Sequence, residues 1–133
     1  MLFYSLFPEE NLCIFSAAGQ LTLDEMRICR QELGTEPQWP NIRTIVTDLR
    51  GCWDVDTRFS DDHARRRMEH HAFGQRRMIW LTGSSTVLGT LAMAENNTMG
   101  ASQDAKVFRD KTEMSRSLGQ EDAGIMRCLE ELE

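Results

Sequence analysis

Residues 42–49 run Ile-Arg-Thr-Ile-Val-Thr-Asp-Leu, rich in β-branched side chains and without the strict apolar/polar alternation of a strand with one wet face. Such a segment suits a strand covered on both faces, a condition met chiefly in parallel sheets flanked by helices. Residues 78–81, Met-Ile-Trp-Leu, make the same demand. A chain built around these two strands must supply helices for both sides of a sheet.

The flanking segments carry the matching signals. Residues 2–7 and 12–18 are short apolar runs separated by Pro8, Glu9, Glu10 and Asn11, a spacer that predicts a β-hairpin whose second strand ends at Gly19. Thr22 followed three residues on by Glu25 is a capping box, and Leu23, Met26, Cys29 and Leu33 then share one helical face until Gly34 ends the helix. Pro37 and Pro40 predict an extended connection. Ser60, backed by Asp61 and Asp62, marks the start of a second helix running to about residue 72. Ser84 or Ser85 caps a third, in which Val87, Leu88, Leu91, Ala92 and Met99 recur at helical spacing. Residues 106–109 read as a last short strand. Asp110 and Glu113 then cap a brief helix ending near Leu118 and Gly119, and Ile125, Met126, Leu129 and Leu132 give residues 120–133 the stripe of a terminal amphipathic helix.

The order β-β-α-β-α-β-α-β-α-α predicts an α/β fold: a mixed, mostly parallel sheet opened by an N-terminal β-hairpin, with helices packed on it through right-handed crossovers. No repeat or linker divides the chain, so residues 1–133 read as one domain. The stripe of the terminal helix covers either the chain's own sheet or a second copy. Self-packing is the preferred reading and a homodimer the alternative.

Charge and cysteine usage narrow the function. With 21 acidic against 15 basic side chains the net charge is −6, which argues against coating nucleic acid through clustered Lys and Arg. Pro8, Glu9 and Glu10 cut short the apolar start, no basic leader precedes it, and the expected compartment is the cytoplasm. Cys13, Cys29, Cys52 and Cys128 are widely spaced, favouring reduced thiols over a disulfide framework. No charge falls between Arg77 and Glu95, but that stretch is broken by Thr82, Gly83, Ser84, Ser85 and Thr86 and is shorter than the roughly 20 apolar residues of a membrane span.

The order of elements, with Asn11-Leu12 leading through Gly19 to Leu21-Thr22, residues 45–50 (Ile-Val-Thr-Asp-Leu-Arg) as the central strand, and Val107-Phe108-Arg109-Asp110 before a helix ending in Leu118-Gly119, resembles the SpoIIAA-like branch of the STAS-domain superfamily. The resemblance spans residues 4–119. It implies a regulatory domain that binds a partner, and in antagonists of sigma regulators a serine phosphorylated at the start of the helix after the central strand. Here that region reads Trp-Asp-Val-Asp-Thr-Arg-Phe-Ser-Asp-Asp over residues 53–62, so Thr57 and Ser60 occupy the neighbourhood without reproducing the family's Asp-Ser-Ser-Gly-like motif. A phosphate on Ser60 would meet repulsion from Asp61 and Asp62. Ser117 also stands before Leu118 where a Trp is common in the family.

In an open parallel sheet the strand ends and following helix starts gather on one edge, where ligands bind. Asp48, Arg50, Thr57, Arg58 and Ser60 should meet Thr82, Gly83 and Ser84 there. The Thr82–Thr86 hydroxyls and amides suit either an anion or ordinary helix capping, and they lack the Lys and spaced glycines of a phosphate loop. Arg58, Arg65, Arg66, Arg67, Arg76 and Arg77 form a local basic excess, read as a solvated face or as a docking surface centred on Arg66 and Arg67. His63, His70 and His71 have no chelating spacing, Asp54 and Asp56 are a nonspecific pair, and no metal or cofactor is expected. Cys52 supplies the one enzymatic alternative, a thiol nucleophile, without a motif naming its base. The function expected is non-catalytic binding of a protein partner or small ligand at this edge, with a phosphorylatable switch as the second reading.

Overall fold

A computed structural model describes residues 1–55, 76–83 and 105–133. Strand β1 (Leu2–Phe7) and strand β2 (Leu12–Leu21) form the predicted antiparallel hairpin, Leu2 opposite Ala17 and Phe7 opposite Leu12. The chain reverses through a single turn of 3-10 helix, Pro8–Glu10, closed by Asn11 in the left-handed conformation that Asn tolerates better than most residues. Helix α1 (Leu23–Gly34) starts at the capping box: the Thr22 hydroxyl accepts from the Glu25 amide at 3.3 Å, and the Glu25 carboxylate accepts from the Thr22 amide at 3.0 Å.

Strands β3 (Thr44–Val55), β4 (Arg77–Leu81) and β5 (Ala105–Phe108) follow, then helix α2 (Lys111–Ser117), capped by Asp110, and helix α3 (Ala123–Glu131). The strands make one sheet in the order β1-β2-β3-β4-β5, antiparallel at the opening hairpin and parallel in every later pair. The mixed, mostly parallel α/β architecture predicted from the sequence is the one observed. The predicted second helix near residues 60–72 and third helix near residues 84–99 lie outside the described residues.

Strand alternation sorts the core into two layers. Cys13, Phe15 and Ala17 of β2, Ile45 and Leu49 of β3, and Met78 and Trp80 of β4 pack with Cys29 and Leu33 of α1 on one face. Leu12, Ile14, Val46, Ile79, Leu81 and Phe108 turn to the other face, against Met114, Leu118, Ile125, Cys128 and Leu129 from α2 and α3. The terminal helix thus covers its own sheet, although Leu132, which the stripe placed inward, remains 43% exposed. Burial of the Cys13 and Cys29 thiols raises them to about 12 and about 11, so both stay protonated at neutral pH and serve as small apolar side chains.

Besides the end of β2, which lies at Leu21 and not at Gly19, three local expectations are corrected. The connection holding Pro37 and Pro40 is not extended throughout: residues 39–41 form a 3-10 turn. Arg76, which sequence placed in a basic excess, is nearly buried at the opposite end of the sheet from the strand ends that form the predicted edge. Its guanidinium donates to the carbonyls of Ile42 (3.0 Å) and Trp39 (3.1 Å) and stacks 3.9 Å from the Trp39 ring, so it pins that turn to the start of β4. The third correction concerns β3, which does not stop at Leu49 and enter a loop. It runs on to Val55 beside β2, with Ala18 opposite Gly51, Gly19 opposite Cys52 and Gln20 opposite Asp54. Two register shifts on β3, at residues 49–50 and at Trp53, let the longer strand stay paired, and Gly19, at φ 70°, supplies the backbone kink.

Removal of the Ile79 side chain, fully buried where β4 meets α2 and α3, should cost about 2–5 kcal/mol in denaturant unfolding, as cavities in a packed core do. Gly19→Ala should cost about 1–2 kcal/mol by forcing a Cβ into the left-handed region.

Candidate functional site

Pairing between β3 and β4 ends at Asp48 and Leu81. Beyond that point β3 continues alone with β2, and the sheet has a step on the β4 side. Thr82 and Gly83 close this step. The Thr82 amide extends the ladder to the Phe108 carbonyl at 2.9 Å, and its buried hydroxyl lies 3.3 Å from the same carbonyl. Gly83 then turns at φ 70° with its Cα against Arg50, where a Cβ would stand 3.6 Å from the Arg50 Cα. Asp48, Arg50, Thr82 and Gly83, predicted to share an edge, are neighbours. Thr57, Arg58, Ser60, Arg66, Arg67 and Ser84 lie outside the described residues, as do His63, His70 and His71.

Asp48 and Arg50 are two residues apart and form a clamp of their own. The Asp48 carboxylate accepts from the Arg50 amide (3.1 Å), Nε (3.0 Å) and Nη2 (2.9 Å), a bidentate pair reinforced by the backbone. Nη2 also reaches the Glu133 carboxylate at 2.7 Å, whose other oxygen accepts from Lys111 Nζ at 2.8 Å. The edge therefore carries an alternating chain of charges, Asp48–Arg50–Glu133–Lys111, that ties β3 to the start of α2 and to the residues after α3. Hydrogen bonding to Asp48, then to Glu133, raises the Arg50 guanidinium further above its already high value, so it remains a cation at every ordinary pH. The bonds from Lys111 and then Arg50 hold the Glu133 carboxyl below the usual carboxylate range.

Two other side chains of this edge change its reading. Trp53, in the strand extension that sequence took for a loop, is 75% exposed, the largest exposure among the exposed apolar side chains of the described residues. Cys52, its neighbour, is buried in the α1-side core with Sγ 3.2 Å from the Asp54 carbonyl. Sequence reasoning missed Trp53, Lys111 and Glu133 as members of the edge. Trp53 was hidden by the misplaced strand end, and the other two by a contact spanning 22 residues of chain. Among the described residues no group of three His, Cys, Asp or Glu side chains is placed to hold a metal, and no helix is long and apolar enough to cross a membrane.

Replacement of Arg50 by Met should destabilise the fold by about 1–3 kcal/mol, because the mostly buried Asp48 carboxylate loses its partner. Glu133→Gln should cost less than about 1 kcal/mol, since that pair is more exposed. The sign with pH follows from the lowered Glu133 value. Its contribution is present above the unfolded carboxyl value of about 4.3 and is lost as pH falls through the folded one. Wild type and Glu133→Gln should therefore differ in denaturant midpoint at pH 7 and converge at pH 2.

Comparison with known proteins follows this geometry. No protein-family model matches the chain, and no curated protein matches it by sequence. Solved structures do match. The anti-sigma factor antagonist SpoIIAA in its unphosphorylated form superposes with a TM-score of 0.56 at 15% identity, over 88% of this chain and 96% of that one. An uncharacterised protein of the DUF3478 family with a SpoIIAA-like fold, from Shewanella loihica, gives a TM-score of 0.60 at 14% identity, over 90% and 93%. The hairpin-opened parallel sheet, with helices on its two faces, is thus the SpoIIAA-like, STAS-type α/β fold.

Proposed function

We propose that the chain is a non-catalytic regulatory domain that binds a protein partner at the step where β3 outruns β4. The observation that carries this reading is the exposed Trp53 on the strand extension, three residues beyond the Arg50 of the clamp, with its indole nitrogen toward Gly19 of β2. A large aromatic side chain held out on a paired strand that also carries a fixed arginine has the composition of an interface anchor. The site stands on two strands of a sheet buried on both faces, which gives it a fixed shape before binding. SpoIIAA is an anti-sigma factor antagonist, and the shared fold supports a regulatory role by analogy. The partner reading places the domain in the cytoplasm.

Cys52 supports the non-catalytic side of the proposal. Buried in the core with its sulfur turned toward the Asp54 carbonyl, the thiol has no path to a substrate at the edge. A phosphorylatable switch at Thr57 or Ser60 is the second reading, favoured by the likeness to SpoIIAA, whose described form is the unphosphorylated one. In the sequence both residues follow the end of β3 at Val55.

The test uses Trp53, whose exposure lets it be removed without disturbing the core. Trp53→Ala should leave the melting temperature within about 2 °C of wild type, as exposed substitutions do. It should also release the proteins that the wild-type chain retains on an affinity column from its native extract. Retention of the same proteins in the same amounts would remove the edge from consideration. Iodoacetamide should label Cys52 in the folded chain more slowly than a free thiol; faster labelling would revive the nucleophile.

A further inference from the structure

At the other margin of the sheet, away from the β3–β4 step, β1 is an edge strand whose one partner among the described residues is β2. Met1 and Ala18 exchange both backbone hydrogen bonds at 2.8 Å, so the odd-numbered residues of β1 turn their amides and carbonyls toward β2. Leu2, Tyr4 and Leu6 consequently turn theirs outward. α1 forms the second wall of a cleft of about 480 Å³ along this edge, whose lining includes Leu2, Phe3 and Tyr4 from β1 and Ile28 from α1. Ile28 is 56% exposed on the α1 wall of the cleft, and Phe3, which alternation turns with Phe7 to the other face of the sheet, is 55% exposed at the same edge.

The rim is of one sign. Glu25, Glu32 and Glu36 line the cleft, and none of its described lining residues is basic. Glu25 is met by the chain's own terminal ammonium at 3.0 Å, and Glu36 accepts from the Tyr4 hydroxyl at 2.9 Å. Burial, followed by Glu36 and Glu32, pushes the Tyr4 phenol up to about 12, a second sign of the negative field in the cleft. Two occupants would satisfy the open backbone and the apolar floor: a second copy pairing β1 with β1, or a foreign strand. Charge decides between them. Antiparallel pairing of two β1 strands would place both α1 helices on the same face and bring two sets of Glu32 and Glu36 toward each other, with no basic side chain among the described lining of the cleft to offset them.

We infer that the β1 edge takes an extended basic peptide segment by strand addition, its backbone pairing with Leu2, Tyr4 and Leu6, its basic side chains meeting Glu32 and Glu36 on the α1 face, and its apolar ones, turned to the other face, covering Phe3. Recognition of this kind draws affinity from main-chain hydrogen bonds and specificity from alternate side chains. It is independent of the surface at Trp53.

The probe is a synthetic octapeptide alternating arginine with valine, titrated into the labelled full chain, with a glutamate–valine octapeptide as control. Amide shifts and slowed exchange are expected at Leu2, Tyr4 and Leu6 with the basic peptide only. Glu32→Lys should weaken binding by about tenfold while leaving the melting temperature unchanged, and Trp53→Ala should leave binding unaffected. Equal shifts with the acidic peptide, unaltered affinity in Glu32→Lys, no shift at the β1 amides, or protection of those amides in a dimer seen by sedimentation without peptide would each overturn the inference.

Discussion

Everything else in this chain depends on β3 having a strand on each side and a helical layer above and below. Ile45 and Leu49 point to one layer and Val46 to the other, all essentially inaccessible. With both faces claimed, the register of β3 cannot slip by a residue without turning Thr44 and Asp48 into the layer that holds Ile45 and Leu49. That constraint fixes where Asp48 and Arg50 emerge, and it fixes the point at which β4 runs out. The step is a by-product of unequal strand lengths around a rigidly registered strand.

The electrostatic chain at this step works in the same direction. Asp48 orders Arg50, Arg50 and Lys111 hold Glu133, and the C-terminal end of α3 is thereby fastened beside the strand whose opposite end α3 helps to bury. Individually the more exposed pairs to Glu133 contribute little. Their value here is positional, since they stiffen the guanidinium and set its orientation next to Gly83. The other margin of the sheet follows a different logic. There β1 has one neighbour only among the described strands, and its apolar side chains and outward amides are guarded by negative charge, a common way of keeping an edge strand from pairing with its own kind.

Sequence and structure agree where local chemistry alone decides. The Thr22–Glu25 capping box, the Asp110 cap, the hairpin and the two continuously apolar strands were all legible because each signal is contained within a few residues. The strand end at Leu49 was misread because Gly51 and the polar Asp54 suggest a loop, whereas β2 provides a partner as far as Leu21 and the register shifts absorb the mismatch. Arg76 was taken for a surface charge since nothing local foretells that the Trp39 ring and two carbonyls would receive it. The convergence of Asp48 and Arg50 with Gly83 was readable from the rule that strand ends gather on one edge; the participation of Glu133 and Lys111 was not, being a matter of tertiary packing. The proposed contributions of Thr57, Ser60, Arg66 and Arg67 rest on sequence.

The central claim is that the step beyond Asp48 is a binding surface. Hydrogen–deuterium exchange of the full chain, alone and with the proteins it retains from its native extract, tests it most directly. Slower exchange confined to the amides of residues 50–55 and Gly83 is the result predicted. Unchanged exchange there, with slowing elsewhere on the chain, would contradict the account.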